Sequence, residues 1–256
     1  SPAASPSAGG ARSPVSVAAN DPAVQATNVT FPGGGATLMG YQARPSSASG
    51  PTPVVLICHE NRGLTEHIRD VTRRYAKEGY FALAVDLLSR EGGTDRVADQ
   101  AQIPAILSSA QNAPRHVEDF KAAVEYAKTQ GSLARADRIG MVGYCFGGGI
   151  TWRAVEAIPD LRAASPYYGP PPPLDQVPNI KAAVFAIYSS DPNDFANNGR
   201  DQLEAALRAD SVTHEFKVYP GTNHAFHNDT GASWNQDQAL AAYRDTLAWF
   251  ERYLKT

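Results

Sequence analysis

Apolar residues along the chain form short continuous runs separated by stretches in which they recur every three or four positions. Continuous runs are typical of strands covered on both faces, and the longer spacing is typical of amphipathic helices. The predicted strands lie at residues 53–58, 80–85, 139–143, 163–168, 182–188 and 214–219, and the predicted helices at residues 67–78, 116–130, 146–158, 199–209 and 234–253. Because strands and helices alternate, the pattern predicts an α/β fold with one doubly wound, mostly parallel sheet.

The first part of the chain departs from this alternation. Residues 29–31 and 37–41 flank a glycine-rich turn and predict an antiparallel hairpin at the N-terminal edge of the sheet. Residues 1–26 are rich in Ser, Pro, Ala and Gly and predict a flexible lead, so the folded domain is expected to span residues 27–256.

Cellular location is suggested only by the composition of the lead. The chain begins at Ser1 without a methionine, and its Ala/Ser/Pro character favours the mature start of an exported bacterial protein, periplasmic or extracellular. A trimmed chain of a cytoplasmic protein is the alternative.

Composition excludes several classes of function. The chain has 256 residues, 43% hydrophobic and 19% charged, with a net charge of −3, which gives no reason to expect a nucleic-acid or membrane partner. Its two cysteines, Cys58 and Cys145, are too few for a disulfide framework. We expect a monomer that acts on a small molecule.

A strand-to-helix turn carries the strongest chemical signal. The strand at residues 139–143 leads into Gly143-Tyr144-Cys145-Phe146-Gly147-Gly148, the thiol form of the nucleophile elbow. Glycines on both sides of Cys145 let strand and helix approach closely, and the helix start directs backbone N–H groups at the sulfur, which favours a thiolate. The pattern predicts Cys145 as a nucleophile.

Other reactive residues follow other strands. Since function gathers at the carboxyl ends of parallel strands, Glu60, Asp191 and His224 are expected to lie near Cys145. The order nucleophile, acid, histidine is that of α/β-hydrolases. His224 is expected to accept the thiol proton, and Asp191 to orient the imidazole and stabilise its charged form.

The chain resembles the dienelactone hydrolases (carboxymethylenebutenolidases) of the α/β-hydrolase fold from about Thr27 to Tyr253. This resemblance implies hydrolysis of an ester or lactone through a Cys145–His224–Asp191 triad and a thioester, without a metal or organic cofactor. The motifs that carry it are His59-Glu60-Asn61-Arg62-Gly63-Leu64, Asp86-Leu87-Leu88, Gly143-Tyr144-Cys145-Phe146-Gly147-Gly148, Asp191 and Gly221-Thr222-Asn223-His224-Ala225-Phe226.

The resemblance also implies roles for residues around the triad. Glu60 is the expected switch that takes the thiol proton once substrate binds. The backbone N–H groups of Phe146 and Asn61 are the expected oxyanion donors. Residues expected to contact the substrate are Arg62, Arg90 and Tyr144. Where the family places a second arginine, four residues after the histidine, this chain has Asn228, so the family's preference for a free carboxylate is not implied here.

Three alternatives stay open at the level of sequence. A broad carboxylesterase, acting on aryl or polyester-fragment esters, would use the same residues. A thiol-redox protein would pair Cys145 with Cys58, although Cys58 is expected to be a core residue. A binding module would keep the pocket without turnover. His224 and His227 with Asp229 lack a strong zinc-site spacing, so no metal is expected.

Overall fold

An eight-stranded sheet is the central element of the computed structural model, which describes residues 13–256. The strands are β1 (Val24–Gly33), β2 (Ala36–Pro45), β3 (Thr52–Cys58), β4 (Phe81–Asp86), β5 (Ala134–Tyr144), β6 (Leu161–Tyr167), β7 (Ala183–Ser189) and β8 (His214–Tyr219). The helices are α1 (Glu66–Lys77), α2 (Ile103–Ser108), α3 (Arg115–Thr129), α4 (Phe146–Ala157), α5 (Arg200–Ala209) and α6 (Gln236–Phe250).

The strands are arranged in the order β1-β2-β4-β3-β5-β6-β7-β8. The hairpin β1–β2 is antiparallel and joins β4 in antiparallel register, whereas all pairs from β4–β3 to β7–β8 are parallel. The prediction of a mostly parallel α/β sheet with an N-terminal antiparallel hairpin is confirmed. Parallel strands place their carboxyl ends at one edge, where the site residues were expected.

Helices cover both faces of this sheet. Helices α3, α4 and α5 pack on one face, and α1 and α6 pack on the other. Successive residues of β3 point to opposite faces, Leu56 and Cys58 toward the first set of helices and Ile57 toward the second. Among residues 13–256, no helix has both the length and the apolar character that crossing a bilayer requires.

The last helix and the long connection differ in detail from their predictions. Helix α6 begins at Gln236 rather than at residue 234, because the Asn235 side chain accepts a hydrogen bond from the N–H of Gln238 at 3.2 Å and caps the helix. Its end continues as a π-helical turn over Glu251–Lys255. The polar connection at residues 89–113 contains short 3₁₀ turns and α2.

The prediction of a flexible lead is wrong for residues 13–26. Residues 1–12 lie outside the described residues, but Val17 is buried at 2% exposure and β1 already begins at Val24. The N–H of Val17 donates to Asp70 at 2.6 Å, and its carbonyl accepts from Arg73 Nε at 2.7 Å. Composition could not predict this packing, because the partners of the segment are charged side chains of α1.

A pair of truncations tests this contact. Deleting residues 1–23 is expected to lower the free energy of unfolding by about 2–4 kcal/mol relative to deleting residues 1–12, because each buried polar group left without a partner costs about 1–3 kcal/mol. The affected groups are the carboxylates of Asp70 and Asp229 and the guanidinium of Arg73. Urea unfolding followed by circular dichroism measures the difference. Equal midpoints and slopes for the two truncations would contradict the expectation.

Candidate active site

Cys145 lies on a strained turn between β5 and α4. Its φ of 56° is in a region that non-glycine residues rarely adopt. A Cβ on Gly143 would lie 2.1 Å from the carbonyl oxygen of Gly147, and a Cβ on Gly147 would lie 2.5 Å from the carbonyl oxygen of Cys58. Only glycine therefore fits at these two positions, and the close approach of strand and helix holds the thiol at the sheet edge.

His224 contacts Cys145 directly, as predicted from the sequence. Nε2 of His224 lies 2.9 Å from Sγ. The other ring nitrogen, Nδ1, lies 2.9 Å from Oδ1 of Asp194. Because a carboxylate only accepts hydrogen bonds, Nδ1 carries the proton. Nε2 then either accepts the S–H proton or, once protonated, donates to the thiolate.

The acid that orients His224 is Asp194, and the prediction of Asp191 in this role is wrong. Both residues lie in the loop after β7, where the N–H of Asp194 donates to the carbonyl of Asp191 at 3.1 Å. That turn directs Asp194 inward, whereas the carboxylate of Asp191 accepts from the N–H of Asn193 at 2.9 Å. Asp194 is buried and also accepts from the Ser189 hydroxyl at 2.6 Å.

Hydrogen bonding controls the charges of this pair. Burial alone would raise the pKa of Asp194, but the hydrogen bonds from His224, Ser189 and the N–H of Ala196 outweigh burial and lower it. Burial alone would lower the pKa of His224, yet the hydrogen bonds with Asp194 and Cys145 raise it to about 9. His224 is therefore suited to hold a proton beside a thiolate.

A cavity of about 750 Å³ opens over Cys145 and His224. Glu60, Asn61 and Arg62 from the loop after β3 line it, as predicted, together with residues of α1 and of the loop after β8. Within residues 13–256, no ion pair engages the exposed Arg62. The cavity therefore offers one free guanidinium to a substrate.

Two residues predicted to contact the substrate, Arg90 and Tyr144, do not line this cavity. Arg90 donates two hydrogen bonds of 2.8 Å to the buried carboxylate of Asp119 on α3, which holds it elsewhere. Tyr144 is buried, with its ring stacked on that of His227 at 4.8 Å between centroids.

A family model described as the dienelactone hydrolase family matches residues 38–254. The chain belongs to this family. A provisionally named carboxymethylenebutenolidase of Escherichia coli (strain K12) is 33% identical over 246 residues, 91% of this chain and 89% of that protein. A provisionally named dienelactone hydrolase from Klebsiella pneumoniae has a crystal structure that aligns with a TM-score of 0.80 at 32% identity, covering 90% of this chain and 100% of that one.

A crystal structure of a dienelactone hydrolase from Anabaena variabilis supports the fold alone. It is 18% identical, with a TM-score of 0.70 over 91% of this chain and 99% of that chain. With the family match, these similarities establish a hydrolase of the dienelactone hydrolase family on the α/β-hydrolase fold.

Glu60 in this family member is held by a neutral residue. The amide Nδ2 of Asn228 donates to Glu60 Oε2 at 2.6 Å. Oδ1 of Asn228 accepts from the N–H of Thr230 at 2.9 Å, so the amide is fixed with its nitrogen toward Glu60. Burial raises the pKa of Glu60, and the nearby charges and the Asn228 bond offset only part of that rise. Asn228, at the position where the resemblance implies a second arginine, thus partners Glu60 without a charge.

The two residues expected to donate to an oxyanion, Phe146 and Asn61, lie at the start of α4 and on the cavity wall. Phe146 is the first residue of α4, so its N–H has no acceptor within the helix and adjoins the thiol. Asn61 is an exposed residue of the cavity wall. Buried His59 supports this loop, since its Nε2 accepts from the N–H of Leu87 at 3.2 Å and its Nδ1–H donates to the carbonyl of Glu60 at 2.6 Å.

Two aromatic residues near His224 were not predicted. Tyr168, with a φ of 37°, places its ring 5.0 Å from the imidazole, between centroids. Phe195 stands at the cavity mouth with half its surface exposed, and its ring lies 4.7 Å from that of His224. In the sequence, Phe195 is an aromatic residue immediately after Asp194. Nothing in the local sequence indicates that its ring contacts His224.

Cys58 lies away from the residues of the candidate active site. It is fully buried among the residues beneath α3 and α4, whereas Cys145 packs against the cluster on the other face of the sheet. Burial raises the pKa of the Cys58 thiol well above its usual value, which makes it a poor redox partner. Within residues 13–256, no group of three or more His, Cys, Asp or Glu side chains is placed to hold a metal ion.

Proposed function

We propose that the chain hydrolyses carboxylic esters or lactones through a thioester on Cys145. The observation that carries the proposal is the continuous contact from Cys145 Sγ to His224 and from His224 to Asp194, with both distances at 2.9 Å, at the floor of an open cavity. A nucleophile, a base and an orienting acid in contact are the groups that acyl transfer requires.

The reaction follows from this geometry. The sulfur attacks the substrate carbonyl carbon, the carbonyl π electrons move to oxygen, and the N–H groups of Phe146 and Asn61 stabilise that oxyanion. Collapse of the intermediate breaks the bond to the alkoxy oxygen, which takes the proton from His224 and leaves as the alcohol. Water then gives a proton to His224 and attacks the thioester, and the acid leaves as Cys145 regains its proton.

Glu60 is proposed to control the thiol. It is a buried carboxyl group in the same cavity as Cys145, and because burial raises its pKa, it takes up a proton more readily than an exposed carboxyl group does. The Asn228 bond holds the carboxyl group without an arginine. Glu60 therefore acts as a proton-exchanging neighbour of the sulfur, and no described arginine forms an ion pair with it.

A broad carboxylesterase is the second candidate, and two observations favour it over a strict preference for anionic lactones. Asn228 is uncharged, and the exposed ring of Phe195 offers an apolar wall at the cavity mouth. Both features suit uncharged acyl or aryl groups.

Trapping the intermediate tests the proposed function. Aryl esters, plain lactones and cis- and trans-dienelactone are offered to the protein, and rapid acid quenching followed by peptide mass spectrometry is expected to find one acyl group on the Cys145 peptide. The Cys58 peptide serves as the internal control and should stay unmodified. Turnover of an ester with no acylated Cys145, or acylation elsewhere, would overturn the thioester mechanism. Binding of the esters without turnover would indicate a binding module.

A further inference from the structure

Strand β8 forms one edge of the sheet. It is the last strand in the order, and within residues 13–256 it pairs only with β7. Glu215, Lys217 and Val218 of this strand are exposed, and Val218 is a large apolar residue with 43% of its surface accessible. An uncovered edge strand presents unpaired N–H and C=O groups, so it is a template for pairing with another strand.

The register with β7 determines which backbone groups of β8 face outward. Val184 of β7 lies opposite His214, and the N–H of Val184 donates to the carbonyl of Thr213 at 2.9 Å. In a parallel pair, such a bond directs the main-chain groups of alternate residues toward the neighbouring strand, so the odd-numbered residues bond to β7. The main-chain groups of the even-numbered residues point away from the sheet. These residues are His214, Phe216 and Val218.

The side chains of β8 place two opposite charges beside this edge. Glu215 and Lys217 lie on the face of the sheet that α6 covers, close to Asp245. Lys217 Nζ donates to Asp245 Oδ2 at 2.6 Å, whereas none of the ion pairs among residues 13–256 includes Glu215. Phe216 points to the other face, where its ring lies 5.2 Å from that of Tyr188, between centroids. The carboxylate of Glu215 can therefore take a cation from another chain.

Antiparallel pairing with β8 of a second copy satisfies both the backbone and the charges. When the two-fold axis passes beside Phe216, the two Phe216 residues exchange backbone hydrogen bonds, and His214 does the same with Val218 of the second copy. Glu215 then lies opposite Lys217 of the second copy, twice in each dimer. These are the pairs without backbone hydrogen bonds, in which side chains lie closest together.

Charge selects this register over its neighbours. Moving the axis by one residue still joins outward-facing backbone groups, but it places Glu215 opposite Glu215 or Lys217 opposite Lys217. Like charges directly opposite one another on an antiparallel pair are destabilising. Charges on edge strands oppose indiscriminate pairing. On β8 they oppose the shifted registers and favour the register centred on Phe216.

We propose that the edge of β8 is a self-association surface, through which two copies of this chain form a two-fold dimer centred on Phe216. Glu215 of each copy pairs with Lys217 of the other, so the same surface patch serves both copies. The two eight-stranded sheets continue as one across the interface. The dimer replaces the monomer expected from the sequence, and it does not depend on the proposed function.

Charge reversal tests the register. Sedimentation velocity over a series of concentrations is expected to show a dimer of the native chain. Glu215→Lys and Lys217→Glu are each expected to weaken self-association at least about tenfold, because each dimer would then hold two like-charge pairs in place of two opposite pairs. An equimolar mixture of these two variants is expected to restore the dimer, since the charges of one variant then meet opposite charges of the other.

Glu125→Lys is the matched control for charge reversal. Glu125 is an exposed residue of α3 whose side chain is 70% accessible, and the substitution makes the same change of charge away from β8. Its self-association is expected to match that of the native chain. Circular dichroism checks that all three variants are folded.

A backbone change tests the strand pairing and covers the case in which Lys217→Glu fails to fold beside Asp245. Because the N–H of Val218 faces away from β7, Val218→Pro removes a donor from the outer edge and none from the ladder with β7. Val218→Ala keeps that N–H and is its matched control. We expect Val218→Pro to associate at least about tenfold more weakly than Val218→Ala, since two hydrogen bonds of each dimer are lost.

Three results would overturn the proposal. The first is a native chain that stays monomeric at every concentration; if deleting residues 1–12 then produced a dimer, that segment would be the occupant of the edge. The second is a mixture of Glu215→Lys and Lys217→Glu that associates no more strongly than either variant alone. The third is equal association of Val218→Pro and Val218→Ala, which would place any dimer contact on another surface.

Discussion

Replacing Cys145 by alanine is expected to lower kcat/KM for an aryl ester by at least about 10⁴-fold, the scale seen when the nucleophile of a catalytic triad is removed. Cys145 carries the thiol of the elbow, and without it His224 lacks the group that its Nε2 contacts at 2.9 Å. Steady-state assays with a chromogenic ester measure the loss, and circular dichroism checks that the variant is folded.

Cys58→Ala is the matched control, because it removes the other thiol of the chain from a buried position beneath α3 and α4. Its activity is expected to stay within about threefold of the native protein, since buried thiols far from the site act as small apolar groups. Residual turnover of Cys145→Ala within about tenfold of the native rate would refute the assignment of the nucleophile, and equal losses in both variants would favour the thiol-redox alternative.

Asp194→Asn is expected to lower kcat by about 10³–10⁴-fold, as the corresponding change does in other triads. The amide keeps the shape of the side chain but removes the negative charge beside Nδ1 and favours the wrong tautomer of His224. Because the bond with Asp194 is the largest of the contributions that raise the pKa of His224 to about 9, that pKa is expected to fall in the variant. A pH profile of kcat/KM should show the corresponding inflection at lower pH.

Asp191→Asn supplies the control for this prediction, since it makes the same chemical change three residues earlier in the same loop. The carboxylate of Asp191 accepts from Asn193 within its own turn and does not contact His224. Its activity is expected to stay within about threefold of native. The assignment would be reversed if Asp191→Asn were the variant that lost activity.

Local sequence was sufficient to predict the sheet and the proximity of Cys145 and His224. Continuous apolar runs indicate buried strands without any information on the rest of the chain. The glycines on both sides of Cys145 are required by the local geometry of a single turn. His224 and Glu60 could be predicted because each lies in the loop that follows a strand, and parallel strands bring their carboxyl ends to one edge of the sheet.

The orienting acid and the partners of the charged residues depended on tertiary structure. Asp191 and Asp194 have the same chemistry in the same loop, and only the turn from Asp191 to Asp194 and the Ser189 hydroxyl direct the second one toward His224. Arg90 matched a family position, yet Asp119 on α3 binds it, since a guanidinium pairs with whichever carboxylate the fold places within reach.

The lead segment and His67 show the same limit. Residues 13–17 have the composition of a flexible chain, but Asp70 and Asp229 accept their backbone N–H groups. His67 looks like an ordinary position of an amphipathic helix until Asp229, distant in sequence, fixes its ring at the cavity. Strand and helix patterns report on neighbours along the chain, whereas hydrogen bonds and ion pairs join residues far apart in sequence, so only the folded chain determines which partners meet.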